Sequence, residues 1–218
     1  MSLVDELVGV CRKVYEKNFV SAYDGNISVR NSPDTFLITR SGVCKGEVTA
    51  DDILEINADG KTINGNGKIS TESKLHLYAY SKRPEVTAVV HCHPIYSSAF
   101  AVFGEGLIKH ILPEVVLTLG KIPLCEYATP STDELSKTLE PHINYSWAFL
   151  LRNHGAVTLG KNLKDAYYKM EKLEHTSRIV FLARLLGGEK ELNIEKVQEL
   201  LSISHEIYSV DQDIRNIF

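Results

Sequence analysis

The stretch TAVVHCHPIYSSA, residues 87–99, constrains this chain more than any other. An apolar, β-branched run reads as a strand. Strand side chains alternate faces, so His91 and His93 point to one side and Cys92 to the other. Two imidazoles one residue apart can converge on one point. Such a pair is half of a metal site, because a metal centre also needs a third ligand and an acid or base from elsewhere in the chain.

A third histidine stands in LLRNHGAV, where His154 lies just past an apolar strand and beside Gly155, a residue that permits close backbone approach. Three histidines with an open fourth position are the pattern of catalytic zinc; an ordinary turn histidine is the alternative for His154. Glu72, in KISTESKLH, sits at a strand-to-helix junction where Ser70 or Thr71 can cap the helix. It reads equally as a first-turn acid complementing the helix dipole. Hydroxyls and free N–H groups at a helix start also make an anion site without Lys or Arg. Together with the turns DGNIS and RSG they suggest a phosphorylated substrate. Cys92 reads as a small buried residue and Lys74 as a solvated lysine rather than a Schiff-base nucleophile. His76, His110, His142, His175 and His205 have no comparable company.

Periodicity predicts an amphipathic helix from Leu3 to near Phe19, strands at ISVR and TFLIT, and a hairpin around NADG. It then predicts a helix over residues 71–83, bounded by Pro84, and the strand that carries the histidines. A short helix, a strand-like IPLCEY, a helix over 133–140 and a strand AFLL follow. A long helix is capped by Asn162 and stopped by Gly187 and Gly188, with Leu163, Ala166, Tyr167, Met170, Leu173, Ser177, Val180 and Phe181 as its buried stripe. A further helix spans Ile194 to Tyr208. The sheet is mixed rather than a βαβ repeat.

With 44% hydrophobic and 24% charged residues, the 218-residue chain has material for a sizeable core, and one domain over residues 1–218 with a tail from about 207 is expected. A formal charge of -4 without any Lys/Arg block argues against nucleic acid and against a polybasic membrane patch. No apolar run reaches the length of a membrane span. Asp5 and Glu6 in MSLVDELVGV are unlike a signal peptide, and four scattered cysteines without C-x-x-C suit a reduced, cytoplasmic protein.

In order, the motifs GNISVR, TRSG, STE, VVHCHP, IPLCEYATPSTDEL, RNHGAV and KMEKLEHTSRI resemble the zinc-dependent class II aldolase/epimerase family, of the L-fuculose 1-phosphate aldolase and L-ribulose 5-phosphate 4-epimerase type. The resemblance spans essentially the whole chain. It implies an α/β fold, a three-layer α/β/α domain with a mostly antiparallel central sheet, assembled as a homotetramer with active sites at subunit interfaces. It also implies that His91, His93 and His154 bind Zn2+ and that Glu72 is both a resting-state ligand and the catalytic base. By the same resemblance Asn26, Ser41, Gly42, Ser70 and Thr71 bind the substrate phosphate, and Tyr208 protonates the enediolate or stabilises charge during C–C cleavage.

The implied activity is reversible aldol cleavage of a sugar phosphate, L-fuculose 1-phosphate or a related ketose 1-phosphate, to dihydroxyacetone phosphate and an aldehyde such as lactaldehyde. Three alternatives share the fold. A pentulose phosphate 4-epimerase usually has aspartate where STE has glutamate. A methylthioribulose 1-phosphate dehydratase keeps the histidines but eliminates water. Against an adducin-like binding module, which is not an enzyme, stands the retention of three histidines together with Glu72. The chain departs from the aldolase pattern in having YD before GN, and in placing Leu112, with His110 and Glu114 nearby, where an interface tyrosine is expected.

Overall fold

The computed structural model describes residues 2–208 and 212–218, and of Tyr208 the backbone only. Its strands are β1 (Asn26–Arg30), β2 (Thr35–Thr39), β3 (Ile53–Asn57), β4 (Thr62–Asn64), β5 (Ala88–Cys92), β6 (Leu124–Cys125), β7 (Ala148–Leu151) and β8 (Gly155–Gly160). They pair in the order β4-β3-β2-β1-β5-β8-β7-β6. Every neighbour pair is antiparallel except β6 with β7. The central strands β5 and β8 are buried at every residue because helices cover both faces of the sheet.

On one face lie α1 (Leu3–Glu16), α3 (Ile95–Phe103) and α6 (Leu163–Leu185), packed through Leu7, Phe100 and Met170 against Ile27, Cys92 and Ala156. On the other face α2 (Ser73–Lys82) and α5 (Asp133–Lys137) bury Leu75, Tyr80 and Leu135 against Val89 and Val157. The result is an α/β/α sandwich of layers. Two further helices, α4 (Pro113–Thr118) and α7 (Ile194–Tyr208), form a smaller cluster around Val116, Val197 and Ile217. Among the described residues no helix is long and apolar enough to cross a membrane.

Several predicted boundaries move. The first helix stops at Glu16 rather than Phe19, since Asn18 turns left-handed (φ 58°) and the chain swings so that the Phe19 carbonyl accepts from the His93 N–H (2.9 Å). Helix α2 begins at Ser73, two residues late, because residues 70–73 close a turn from Ser73 N–H to Ser70 C=O (3.0 Å). Neither Ser70 nor Thr71 caps it. Ser70 Oγ accepts only a long bond from the Glu72 N–H (3.4 Å), and Thr71 Oγ1 accepts from the Ser131 hydroxyl (2.6 Å).

One short helix was expected after the histidines and two form, α3 and α4. Helix α5 ends at Lys137 instead of 140, and the strand at IPLCEY contracts to two residues. The long helix starts as predicted, with Asn162 Oδ1 accepting from the Asp165 N–H (2.8 Å). Its stripe takes in Thr176, while Phe181 is 40% exposed: once Thr176, Ser177 and Val180 face the sheet, Phe181 is rotated past the edge of the buried arc.

Candidate metal centre

Each site residue is placed by a strand register or an element end. Strand β5 carries His91 and ends one residue before His93; the turn between β7 and β8 carries His154; Glu72 is the N-cap of α2. Asn26, the first residue of β1, pairs directly with His91. At the turn, Asn153 adopts a left-handed backbone (φ 55°) and Gly155 is indispensable: a Cβ there would sit 2.5 Å from His93 Cδ2 and 2.6 Å from the Cys92 carbonyl. Cys92 points to the opposite face and packs in the other core layer, as strand alternation predicts.

The three imidazoles meet edge to face, with ring centroids 4.8–5.0 Å apart. His93 Nε2 lies 3.2 Å from His91 Nε2. Glu72 closes the cluster, with Oε2 3.2 Å from His91 Nε2 and Oε1 3.2 Å from His154 Nε2. His91 donates its Nδ1–H to the Ala156 carbonyl (2.9 Å), which turns Nε2 toward the cluster. His93 Nδ1 stands 3.8 Å from Asp24 Oδ2.

Among the described residues this is the one His/Cys/Asp/Glu group positioned to hold a metal ion, its histidine ligand atoms all within 4.8 Å of one another. The donor chemistry fits such an ion. Nitrogen donors and a carboxylate converge on one point with separations of 3.2 Å, and a tetrahedral ion with bonds of about 2.0–2.1 Å would hold its ligand atoms about 3.3–3.4 Å apart.

Electrostatics follow from the crowding. Burial alone would raise the Glu72 carboxyl, but the His91 charge and hydrogen bonds with His154, His91 and Asn26 outweigh it and hold Glu72 well below the usual carboxylate range. His91 is raised: burial opposes its charge, and the Glu72 carboxylate overcomes that. His93 is pushed down to about 3 by burial and by the neighbouring imidazoles, so its nitrogen is free to ligate at neutral pH.

The residues assigned to phosphate by resemblance divide. Backbone pairing of Arg40 with Ile69, and the Ser41 N–H to Lys68 C=O bond (2.8 Å), bring the 41–42 turn beside the segment leading to Ser70, Thr71 and Glu72. Gly42 is left-handed (φ 73°), with open space where a Cβ would project. Asn26 differs from the other four in that its amide also joins the metal cluster: one Nδ2 N–H donates to Glu72 Oε2 (2.8 Å) and Oδ1 accepts from His76 Nε2 (2.6 Å), while the second N–H of the NH2 group is not used by either bond. Leu112 packs against the core, His110 pairs with Glu191 (3.5 Å), and the Glu114 carbonyl accepts from Thr118 (2.6 Å). The side chain of Tyr208, the predicted proton donor, lies outside the described residues.

Sequence reasoning missed two buried polar groups here. Lys45 is 1% exposed and donates to the Val43 (2.8 Å) and Tyr23 (3.3 Å) carbonyls, pinning the loop after Gly42 to the one before Asn26; burial lowers its pKa. His76, likewise 1% exposed, is pushed down to about 3 by burial and by the His91 charge.

A pH dependence follows. His76 titrates near 6.5 in the unfolded chain and near 3 when folded, so unfolding takes up a proton between those values, and its contribution to stability, complete above 6.5, falls as pH is lowered through that window. His91, with a raised folded pKa, acts in the opposite sense, but it is present in wild type and in a His76 variant alike, so the difference between the two isolates His76. The metal-free protein is expected to lose more stability to urea between about pH 7.5 and pH 5 than its His76→Gln variant does. Equal losses in the two proteins would refute this.

A family model described as Class II Aldolase and Adducin N-terminal domain matches residues 5–181. A 3-oxo-tetronate 4-phosphate decarboxylase of Pectobacterium atrosepticum is 35% identical over 190 residues, 85% of each chain. An L-fuculose phosphate aldolase of Methanococcus maripaludis is 33% identical over 177 residues, 81% of this chain and 95% of that one. The crystal structure of an L-fuculose-1-phosphate aldolase from Thermus thermophilus superposes with a TM-score of 0.76 at 31% identity, covering 84% of this chain and 95% of that one.

Proposed function

Because the chain belongs to the class II aldolase and adducin N-terminal domain family, we propose that it is a zinc-dependent lyase. It breaks a carbon–carbon bond beside the ketone of a small sugar phosphate and leaves dihydroxyacetone phosphate. The observation that carries this reading is the placing of the Glu72 carboxylate against three converging Nε2 atoms, which a binding module has no use for. His91, His93 and His154 hold the metal in this reading, with Glu72 as fourth ligand at rest. When bound, the metal supplies Lewis-acid stabilisation for the negative charge that develops on the substrate oxygens.

The chain's own residues do the rest. In aldol cleavage the C3–C4 electron pair of a ketose 1-phosphate passes to the ketone side while the C4 hydroxyl gives its proton to solvent on the aldehyde side and becomes the aldehyde carbonyl. The resulting enediolate takes its proton through the Glu72 carboxylate, which first picks one up from solvent, the reverse of the step in which Glu72 removes that proton from dihydroxyacetone phosphate. Ser41, Gly42, Ser70 and Thr71 hold the phosphate by neutral donors, and Tyr208 serves the aldehyde half. Assembly as a homotetramer is part of the proposal, and the exposed Phe103, Leu185 and Leu186 support a surface covered by further copies of the chain. A cytoplasmic location completes it.

Decarboxylation is the second reading, favoured by the 35% identical relative. Loss of carbon dioxide from a 3-oxo-tetronate 4-phosphate leaves the same three-carbon enediolate, so the same base and phosphate site serve either bond. Both substrates should be assayed for dihydroxyacetone phosphate with NADH-linked detection, and for lactaldehyde or carbon dioxide as co-product. L-fuculose 1-phosphate, or another ketose 1-phosphate in a panel, is expected to release the ketone and an aldehyde, with the unphosphorylated sugar slower by about 10²-fold or more. Carbon dioxide release from the oxo acid alone would move the assignment to decarboxylation. Release of dihydroxyacetone phosphate from neither would reject the lyase.

A further inference from the structure

Two stripes of polar side chains meet inside the layer between α2 and β1. Glu72, His76 and Tyr80 recur every four residues along the helix, a rise of about 6 Å. Asn26, Ser28 and Arg30 recur every two residues along the strand, about 6.8 Å. These near-equal periods let the stripes zip together. Tyr80 Oη lies 2.7 Å from Ser28 Oγ, Ser28 Oγ 2.6 Å from His76 Nδ1, His76 Nε2 2.6 Å from Asn26 Oδ1, and Asn26 Nδ2 2.8 Å from Glu72 Oε2. Tyr80, His76, Ser28 and Asn26 are each 5% exposed or less.

The directions of these bonds are determined by the chemistry at the two ends. A carboxylate only accepts, so the Asn26 NH2 must face Glu72 and its Oδ1 must face His76. Oδ1 only accepts, so His76 carries its proton on Nε2, and its bare Nδ1 takes the Ser28 proton. Ser28 in turn accepts from Tyr80. Every donor in the series therefore points toward Glu72, and each bond polarises the next.

We infer that His76 and Asn26 are positioning residues for Glu72: His76 locks the Asn26 amide so that its NH2 orients the carboxylate toward the three imidazoles. One N–H of the Asn26 amide serves the base in this arrangement, and the second is left for a ligand. The inference rests on the proposed role of Glu72, and its test separates the two.

The variants are His76→Leu, which removes the donor; His76→Gln, which keeps an N–H near the Nε2 position; and Asn26→Ala, which cuts the same link from the other side should His76→Leu fail to fold. Three readouts are taken: deuterium exchange into dihydroxyacetone phosphate, the visible spectrum of the Co2+-loaded protein, and the competitive inhibition constant of inorganic phosphate. His76→Leu and Asn26→Ala are expected to lower exchange by about 10-fold to 10²-fold and to change the Co2+ spectrum as Glu72 swings away. His76→Gln should stay near wild type, and phosphate inhibition should change less than about twofold in both His76 variants.

An inhibition constant that rises tenfold in His76→Leu while exchange and spectrum stay at the wild-type level would assign the series to the phosphate and overturn the inference. So would a His76→Gln variant as impaired as His76→Leu, or an Asn26→Ala variant with wild-type exchange and spectrum. A wild-type protein that binds Co2+ but exchanges no deuterium would defeat the lyase reading, and the Co2+ spectra of the variants would still decide the role of His76.

Discussion

Glu72→Gln is expected to fold, to retain the three histidine ligands and to lose deuterium exchange into dihydroxyacetone phosphate by about 10²–10⁴-fold, the usual contribution of a general base. Carboxylate and amide are close in size, and the amide oxygen can still accept from Asn26, whose Nδ2 lies 2.8 Å from Glu72 Oε2. Packing should therefore survive. The variant lacks the lone pairs that a carboxylate offers to both a carbon-bound proton and the imidazole cluster, where its two oxygens stand 3.2 Å from His91 and His154. The environment that keeps Glu72 ionised is also what an amide cannot use: the charge on His91 and the hydrogen bonds around the carboxylate act on a negative group. NMR of the C–H signal in D2O makes the measurement, with thermal unfolding as the check on folding. Exchange within about twofold of wild type would end the assignment of Glu72 as base.

Local periodicity carried much of this structure. Alternation in VVHCHP separated Cys92 from the two histidines, and the small residue beside His154 marked the place where the turn must close on His93. Helix α6 could be read end to end from Asn162 to Gly187 because its caps are local chemistry. What a chain read in order cannot display is register. That His154 meets His91 depends on the antiparallel pairing of β5 with β8, where His91 lies opposite Val157 and Cys92 opposite Ala156. The role of His76 is illegible in sequence for the same reason: its partners Asn26 and Ser28 stand 50 and 48 residues away, and only the packing of α2 on β1 aligns the two stripes. Asn26 is given to the phosphate by resemblance, and only the sheet reveals that its side chain also lies beside Glu72. Two of the helix boundaries that moved, at Glu16 and Ser73, lie where the chain leaves a regular element to enter the site, so local propensity yields there to tertiary contacts.

His154→Ala is expected to abolish most metal binding, lowering affinity by more than about 10²-fold, since even outer-shell partners of metal ligands contribute 10–100-fold. His154 is the ligand to remove because its turn carries no other part of the cluster, whereas His91 also donates to the Ala156 carbonyl and so supports the β5–β8 pairing. The control is His175→Ala, at an exposed position on α6, which should keep wild-type metal content. Two measurements are independent of turnover: elemental analysis of protein purified without chelator, and the shift in unfolding free energy on adding Zn2+. A ligand bound only by the native state stabilises it by RT ln(1 + [L]/Kd), about 4 kcal/mol at a thousandfold excess over Kd. Wild type should show that gain, and the variant, at the same free Zn2+, less than half of it. The effect should also weaken in acid: His91, whose pKa is raised beside Glu72, must give up its Nε2 proton before that nitrogen can ligate, so affinity falls as the pH drops toward and below that pKa. One equivalent of zinc in His154→Ala would exclude the three-histidine site, and so would wild-type protein that neither holds zinc nor gains stability from it.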